Sequence, residues 1–429
     1  MIGLKSESDW ASIAPNAALP DTNFAPKPEF MDDYAAWVGA VIERYDGDGT
    51  ADLPGLKYPI RYYEIGVEFS TYEPEPVQDY LGMLEAAYQA AHAAYPDVVV
   101  LQVPFLTTTA FDSNPGPDEY EAAFAAVDPR ILYHSLAEIR AILDRPELFD
   151  ALNFHCLAGA QELEATIRWL RFEMDSRGYD KPLIVSDTSP SPFVGWGAAT
   201  TCQGDPASLG ILLAPATEAD RCRLADYFTL LVNGDPDTLD WVRGFVAEDM
   251  ARMTIVAAEQ GIEFLNTSFI EDLFPLNTPL FRAGAGNAAW AGMVETRLNF
   301  FTQEHIVKGR RPLFYALRQV AYELDSYNVV ERVPIANADV RLYRVRHTEG
   351  LGLPDFWIAW YYPAQLVLPG DAVPETTITL ETDAPEVGVE KLITQPGQDD
   401  TDVVKIPANN GVVEIPLSAT PVFIKTIHP

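Results

Sequence analysis

Three acidic residues stand where this sequence could do chemistry. Glu64 and Glu68 close the stretch Tyr58–Phe69, Tyr-Pro-Ile-Arg-Tyr-Tyr-Glu-Ile-Gly-Val-Glu-Phe, with no basic residue after Arg61 to neutralise them. Tyr58–Ile65 reads as a short β-rich run. A carboxylate at the carboxyl end of a buried strand is poorly solvated, which raises its pKa and suits it to proton donation. The plainer reading is a pair of solvated loop acids in an acid-rich chain. Asp187 ends a second apolar run, Lys-Pro-Leu-Ile-Val-Ser-Asp over 181–187. Apolar runs at 98–103 and 151–156 lie between the two, so Glu68 and Asp187 are expected three strands apart around a barrel. Two carboxyl groups facing each other across a barrel mouth are the apparatus of glycoside hydrolysis. One protonates the leaving oxygen; the other attacks the anomeric carbon or activates water.

The elements that would hold these groups follow from the periodicity. Residues 29–45, 77–94, 117–127, 133–143, 161–176, 219–233 and 239–260 have the apolar spacing of helices, and Pro96 ends the second of them. Val98–Val103 is an almost unbroken valine-rich run, the mark of a strand buried on both faces. Phe149–Cys156, 181–187 and Gly261–Phe269 are further strands, and Met1–Leu4 reads as the tail of one. Ser6–Pro28 reads as a loop, and a polar Gly/Pro-rich insertion runs from Asp187 to about residue 218. Strand alternating with helix at this pace predicts a parallel sheet, and repeated units of this size predict a (β/α)8 barrel of the TIM type over residues 1–328. Barrel enzymes carry their reacting groups at the carboxyl ends of the strands. Residues 311–324 read as a joining helix. From 329 to 429 the pattern changes to short strands separated by turn signals, which predicts an all-β sandwich.

The bulk numbers narrow the partners. Basic residues number 29 and acidic residues 63, a formal charge of -34, so nucleic acid and anionic membrane are repelled and a neutral substrate fits. A hydrophobic content of 48% excludes a disordered chain, and no run is long enough to span a membrane. Cys202 and Cys222 flank one loop and can pair in an oxidising compartment, whereas Cys156 reads as a buried thiol. The histidines have no zinc-ligand spacing with the cysteines, so no cofactor is expected. One stretch, Asp46-Gly-Asp-Gly-Thr-Ala-Asp52, spaces the oxygens of Asp46, Asp48 and Asp52 like part of a calcium loop, but without the bidentate glutamate; a structural calcium and a plain acidic turn are its two readings. Ala283–Asn287 is glycine-rich but follows no strand of a βαβ unit, so it is not a nucleotide loop.

These residues carry a resemblance. Tyr63-Glu-Ile-Gly-Val-Glu-Phe69 resembles the Trp-Glu-Ile-Gly-Asn-Glu-Pro stretch of clan A glycoside hydrolases, the retaining (β/α)8-barrel group. Asn153-Phe-His-Cys156 is similar to the clan's sixth-strand segment, where a histidine lines the sugar site. Lys181-Pro-Leu-Ile-Val-Ser-Asp-Thr188 resembles the seventh-strand segment that ends on the nucleophile. The terminal β region, closing on Thr420-Pro-Val-Phe-Ile424, resembles the sandwich found behind such barrels.

The resemblance implies Glu68 as general acid/base, Asp187 at the nucleophile position and Glu64 and His155 as substrate-site residues. Trp196 and Trp290 are candidate sugar platforms, with loop or core packing as their alternative. A β-linked poly- or oligosaccharide is the implied partner; oligomeric state is not readable. Three departures favour a catalytically silent, carbohydrate-binding relative as the alternative. Val67 replaces an asparagine that hydrogen-bonds the sugar 2-hydroxyl. Asp187 is one methylene shorter than glutamate, where small misplacements are costly. Residues 1–57 leave no room for three βα units before Tyr58. The barrel is therefore expected to be incomplete, lacking its first two strands and the arginine of the second, as in a shortened reading of a longer protein. A full-length form is expected to be secreted or on the cell surface.

Overall fold

The alternation of apolar runs and amphipathic stretches becomes an α/β unit followed by β structure in the computed structural model, which describes residues 1–15, 23–69, 75–127, 134–157, 159–188, 218–267, 270–272, 292–299, 301–348, 352–363 and 365–427. The chain divides into two compact units. The first comprises Met1–Cys156, Glu164–Thr188 and Ile262–Asn266; the second comprises Leu157–Leu163, Ser189–Gly261 and Thr267–Pro429. The boundary expected at 328/329 falls inside the second unit.

In the first unit, β1 (Ile2–Leu4) is followed by a short antiparallel pair, β2 (Ser12–Ala14) and β3 (Asn23–Pro26), then by α1 (Met31–Glu43) and β4 (Tyr62–Ile65). Next come α2 (Val77–Ala94), β5 (Val99–Leu101), β6 (Phe105–Leu106), α3 (Tyr120–Ala125), α4 (Leu136–Leu143), β7 (Leu152–Cys156), α5 (Ala160–Arg177), β8 (Leu183–Thr188) and, after the helices of the second unit, β9 (Phe264–Thr267). Strands pair in the orders β1-β4-β5 and β6-β7-β8-β9, and a parallel bridge between Leu101 and Ala151 joins the two rows. The β1–β4, β4–β5, β6–β7 and β7–β8 pairs are parallel.

This sheet is curled. Tyr62 on β4 stacks on Phe264 of β9 with ring centroids 6.4 Å apart, and its hydroxyl donates to Glu263 Oε1 at 2.5 Å. In a flat sheet β4 and β9 would stand four strand spacings apart, roughly 19 Å. No closed ring of strands is present among the described residues. The concave side begins with an apolar layer of Leu101, Ala151 and Ile184, with Tyr62 and Val99 against it.

Two side chains substitute for missing ladder bonds. Between β5 and β6 the backbone leaves the sheet, and buried Gln102 spans the break: its Nε2 donates to Asn153 O at 2.7 Å and its Oε1 accepts from Asn153 N at 2.8 Å. The Tyr80 hydroxyl, from α2, donates to Ile65 O and accepts from Val103 N. The β2–β3 pair lies in the segment read as a loop. Its stability comes from distant partners, such as Phe24 N donating to Glu75 Oε1 at 2.7 Å, which no local pattern announces.

The second unit contains α6 (Glu218–Asn233), α7 (Pro236–Gln260), β10 (Glu271–Asp272), β11 (Val294–Asn299), β12 (Glu304–Arg310), α8 (Pro312–Leu324) and then β13 (Val329–Arg332), β14 (Val340–Arg346), β15 (Phe356–Tyr361), β16 (Thr376–Glu381), β17 (Glu386–Lys391), β18 (Val403–Pro407), β19 (Val412–Leu417) and β20 (Val422–Ile427). Antiparallel sheets of order β13-β14-β15-β20-β17-β18 and β16-β19 enclose a core of Val340, Leu342, Ala359, Ile378, Ile415 and Ile424, among others. Buried Arg252 of α7 donates to Ala419 O at 2.6 Å, and Gln319 of α8 accepts from Ile393 N at 3.0 Å. These helices are thus built into the sandwich, which is why the unit begins before residue 329.

Replacing Gln102 by leucine removes both substitutes for the β5–β7 ladder and leaves Asn153 N–H and C=O buried and unpaired. The expected loss is about 2–4 kcal/mol, read as a lower urea midpoint. A midpoint unchanged from wild type would contradict the assignment.

Candidate functional site

Glu68 is positioned from both sides. Gly66 N donates to Leu4 O at 3.0 Å, extending the β1–β4 ladder by one residue, and Phe69 N donates to Pro104 O at 3.3 Å. Between them the chain turns through Gly66 at φ +96°, a conformation that side-chain-bearing residues avoid. The carboxylate of Glu68 therefore stands just past the carboxyl end of β4, on the concave side. Phe69 is buried against Tyr80 and stacks on His134 with centroids 3.7 Å apart.

Above the apolar layer the concave side turns polar. Asn153 Nδ2 donates to Glu64 Oε2 at 2.7 Å, and Asn153 Oδ1 accepts from Ser186 N at 3.2 Å. Ser186 also hydrogen-bonds Glu64 through its side chain. His155, two residues along β7, donates from Nδ1 to Glu68 Oε1 at 2.6 Å, and its Nε2 lies 3.0 Å from Ser186 Oγ. Asn266 Nδ2 donates to Ser186 O at 2.8 Å. A continuous chain of hydrogen bonds runs Glu68–His155–Ser186–Glu64–Asn153.

Asp187 joins this group through a β-bulge. Up to Phe154 the β7–β8 register is regular, Asn153 opposite Ile184 and Phe154 opposite Val185; then it slips so that His155 faces Asp187. Side chains alternate along a strand, so Ser186 and Asp187 cannot both face the concave side of a regular one. The extra residue lets Ser186 bond His155 and still turns Asp187 inward, the re-aiming that bulges perform. One ligand atom from each of Glu68, His155 and Asp187 lies within 4.8 Å of the others. On a flat sheet β4 and β8 would be roughly 14 Å apart, so the curl brings the pair together.

Burial sets the electrostatics. It pushes the Glu64 carboxyl above its usual range, against the opposing pull of His155, Ser186 and Asn153. Asp187 is raised by burial and, secondarily, by Glu68, with His155 opposing. Burial alone would lower His155, but the hydrogen bond and charge of Glu68, followed by Asp187 and Glu64, raise it above its ordinary value. The imidazolium is thereby favoured between the carboxylates.

No family model matches the sequence, and no curated protein matches it. Among solved structures, the chain is similar to a family 39 glycoside hydrolase from the gut symbiont Bacteroides cellulosilyticus WH2, with a TM-score of 0.52 and 14% identity over 96% of this chain. It is also similar to BuGH86 in complex with neoagarooctaose, with a TM-score of 0.50 and 14% identity over 95% of this chain. The likeness to these glycoside hydrolases is one of fold. The chain spans 66% of the first of those proteins and 57% of the second.

Of the site residues expected from sequence, the fold brings Glu64, Glu68, His155 and Asp187 together. Trp196 and Trp290 lie outside the described residues, as does Cys202; Cys222 is disulfide-bonded and Cys156 is buried. The acidic loop differs from expectation. Oxygens of Glu43, Asp46 and Asp48 gather within 4.8 Å, whereas Asp52 accepts from Gly47 N and Gly49 N and so closes the turn. Glu43 comes from the last turn of α1, outside the motif, which is why loop spacing did not include it. Sequence reasoning also passed over Asn153 and Ser186 as site residues. Both had a signal: Asn153 and His155 alternate within an apolar strand, and Ser186-Asp187 puts adjacent polar residues at the end of another.

Glu64, Asp187 and His155 all have raised values, so the folded state binds more protons than the unfolded one. Their contribution to stability is complete below the ordinary values of 4.5, 3.8 and 6.5 and is lost as pH rises through the folded ones. The Glu64→Gln variant keeps the acceptor for Asn153 without the charge. Its Tm relative to wild type is expected to climb as pH rises above the ordinary carboxyl value of 4.5; a flat difference would contradict this electrostatic description.

Proposed function

We propose that the protein is a retaining glycoside hydrolase acting on a neutral, β-linked poly- or oligosaccharide. The observation that carries this reading is the approach of the Glu68 and Asp187 carboxylates, with oxygens within 4.8 Å. Retaining enzymes hold their two carboxyl groups about 5–5.5 Å apart; inverting ones need about 6.5–9.5 Å to admit a water. The strand arrangement supports a (β/α)8 plan in which β1, β4, β5, β7, β8 and β9 stand as the third to eighth strands. The plan's first two strands have no counterpart among the described residues.

In this mechanism the proton held on the His155–Glu68 hydrogen bond passes through Glu68 to the glycosidic oxygen as Asp187 attacks the anomeric carbon. The leaving sugar departs as an alcohol, and an ester joins Asp187 to the glycosyl group. Glu68, now a carboxylate, takes a proton from water as that water attacks the same carbon and frees Asp187. His155 orients Glu68 through the 2.6 Å hydrogen bond and offsets the charge of the pair. The bulge at Ser186 turns the Asp187 side chain toward the concave side that holds Glu68.

A second reading, a catalytically silent carbohydrate-binding protein of the same fold, is favoured by Val67. Its side chain can make no hydrogen bond to a sugar 2-hydroxyl, a contact that strengthens in the transition state. The two readings separate on aryl glycosides. The first expects turnover with retained anomeric configuration, and a loss of about 10²–10⁴-fold in kcat/KM in Glu68→Gln. No turnover across a broad panel, with oligosaccharide binding that survives in the Glu68→Gln, Asp187→Asn double variant, would establish the second.

A further inference from the structure

The sandwich has a concave site of its own. Trp357 on β15, Glu381 at the end of β16, the Thr382-Asp383 turn and the Asn410-Gly411 turn before β19 line a groove of about 470 Å³. We propose that this groove is a second carbohydrate-binding site, one that takes a neutral glycan chain.

Its construction supports that use. Trp357 is half-buried: it packs against the sandwich core yet also lines the groove. The rim is braced by backbone. Asn409 and Val412 exchange hydrogen bonds across the Asn410-Gly411 turn, and Thr382 N donates to Gly411 O at 2.9 Å. Asn410 and Gly411 have φ of +55° and +79°, the conformation that makes Asn-Gly a tight hairpin turn. The carboxylates of Glu381 and Asp383, the amide of Asn410 and the indole N–H of Trp357 make no hydrogen bond or ion pair among the described residues. The groove therefore offers an aromatic surface beside acceptors and donors with unspent capacity.

That chemistry matches a sugar ring, whose C–H face stacks on an indole while its hydroxyls both donate and accept. Among the described residues no basic side chain lines the groove, and two carboxylates do, so phosphorylated, sulfated or uronic ligands are repelled. An organic cation is less well served. Cation recognition encloses the charge with several aromatic faces, whereas this groove has one among the described residues and is an open trough.

The test uses the full chain carrying Glu68→Gln, so that a polymer is not cut during the measurement. The protein is run through native gels containing neutral β-glucan, xylan or agarose, with polygalacturonate and chitosan as anionic and cationic controls. At least one neutral polymer is expected to retard it. Trp357→Ala is expected to weaken that retardation about tenfold. Because Trp357 also touches the core, the Glu381→Ala, Asp383→Ala pair is made as well; these exposed changes leave the fold intact and are expected to weaken it about fivefold. The proposal is overturned if no neutral polymer retards the chain, if only chitosan does, or if retardation is the same in both groove variants. In an otherwise wild-type chain the groove variants are expected to leave aryl glycoside turnover unchanged. Groove-dependent retardation in a chain without any turnover would uphold this site while ending the hydrolase reading.

Discussion

Everything in the first unit answers to one constraint: three carboxyl groups, Glu64, Glu68 and Asp187, share a poorly hydrated hollow with one imidazole. Buried carboxylates are costly unless they are paired and hydrogen-bonded, and mutual repulsion adds to the cost. His155 relieves it by donating to Glu68, and Ser186 and Asn153 extend the relief to Glu64. Because each member's bond depends on its neighbour, the network has little freedom to rearrange. Such rigidity is what positions a reacting group to within a fraction of an ångström.

The backbone is shaped to serve this arrangement. The concave side is graded from apolar Leu101, Ala151 and Ile184, through the amides and hydroxyl of Asn153, Asn266 and Ser186, to the ionisable groups at the strand ends. Three local irregularities make the last step possible. Gly66 turns the chain at the end of β4, Gln102 lets β5 leave the sheet without losing its tie to β7, and the slip in the β7–β8 register turns Asp187 inward. Irregular backbone here is part of the site. The fold alone would not imply an activity, since one barrel plan hosts many chemistries.

Much of this was legible in the sequence because its signals are periodic. Helix 77–94 has the bounds read from apolar spacing, and each run read as a strand after residue 328 is one of β13–β20. Glu68 and Asp187 were legible because strand ends can be located from apolar runs, whereas His155 came only from the resemblance carried by Asn153–Cys156. The missing parts depend on contacts distant in sequence. The β2–β3 pair is held by Glu75, the calcium-like loop draws on Glu43, and Gln102 finds its partner on β7. Strands β10–β12 escaped notice because β12 is largely exposed, so burial imposes no alternation of apolar and polar residues on it. The bulge is a departure from periodicity, and a reading built on period two passes over it.

The central claim is that Asp187 becomes covalently attached to the sugar during turnover. A 2-deoxy-2-fluoro analogue of whichever aryl glycoside the protein cleaves slows breakdown of that ester and lets it accumulate for intact-mass and peptide-mapping spectrometry. The account predicts one added glycosyl mass, on the peptide containing Asp187, and none in Asp187→Asn. A glycosyl mass on any other residue, or brisk turnover of the parent glycoside with no trapped ester, would contradict it.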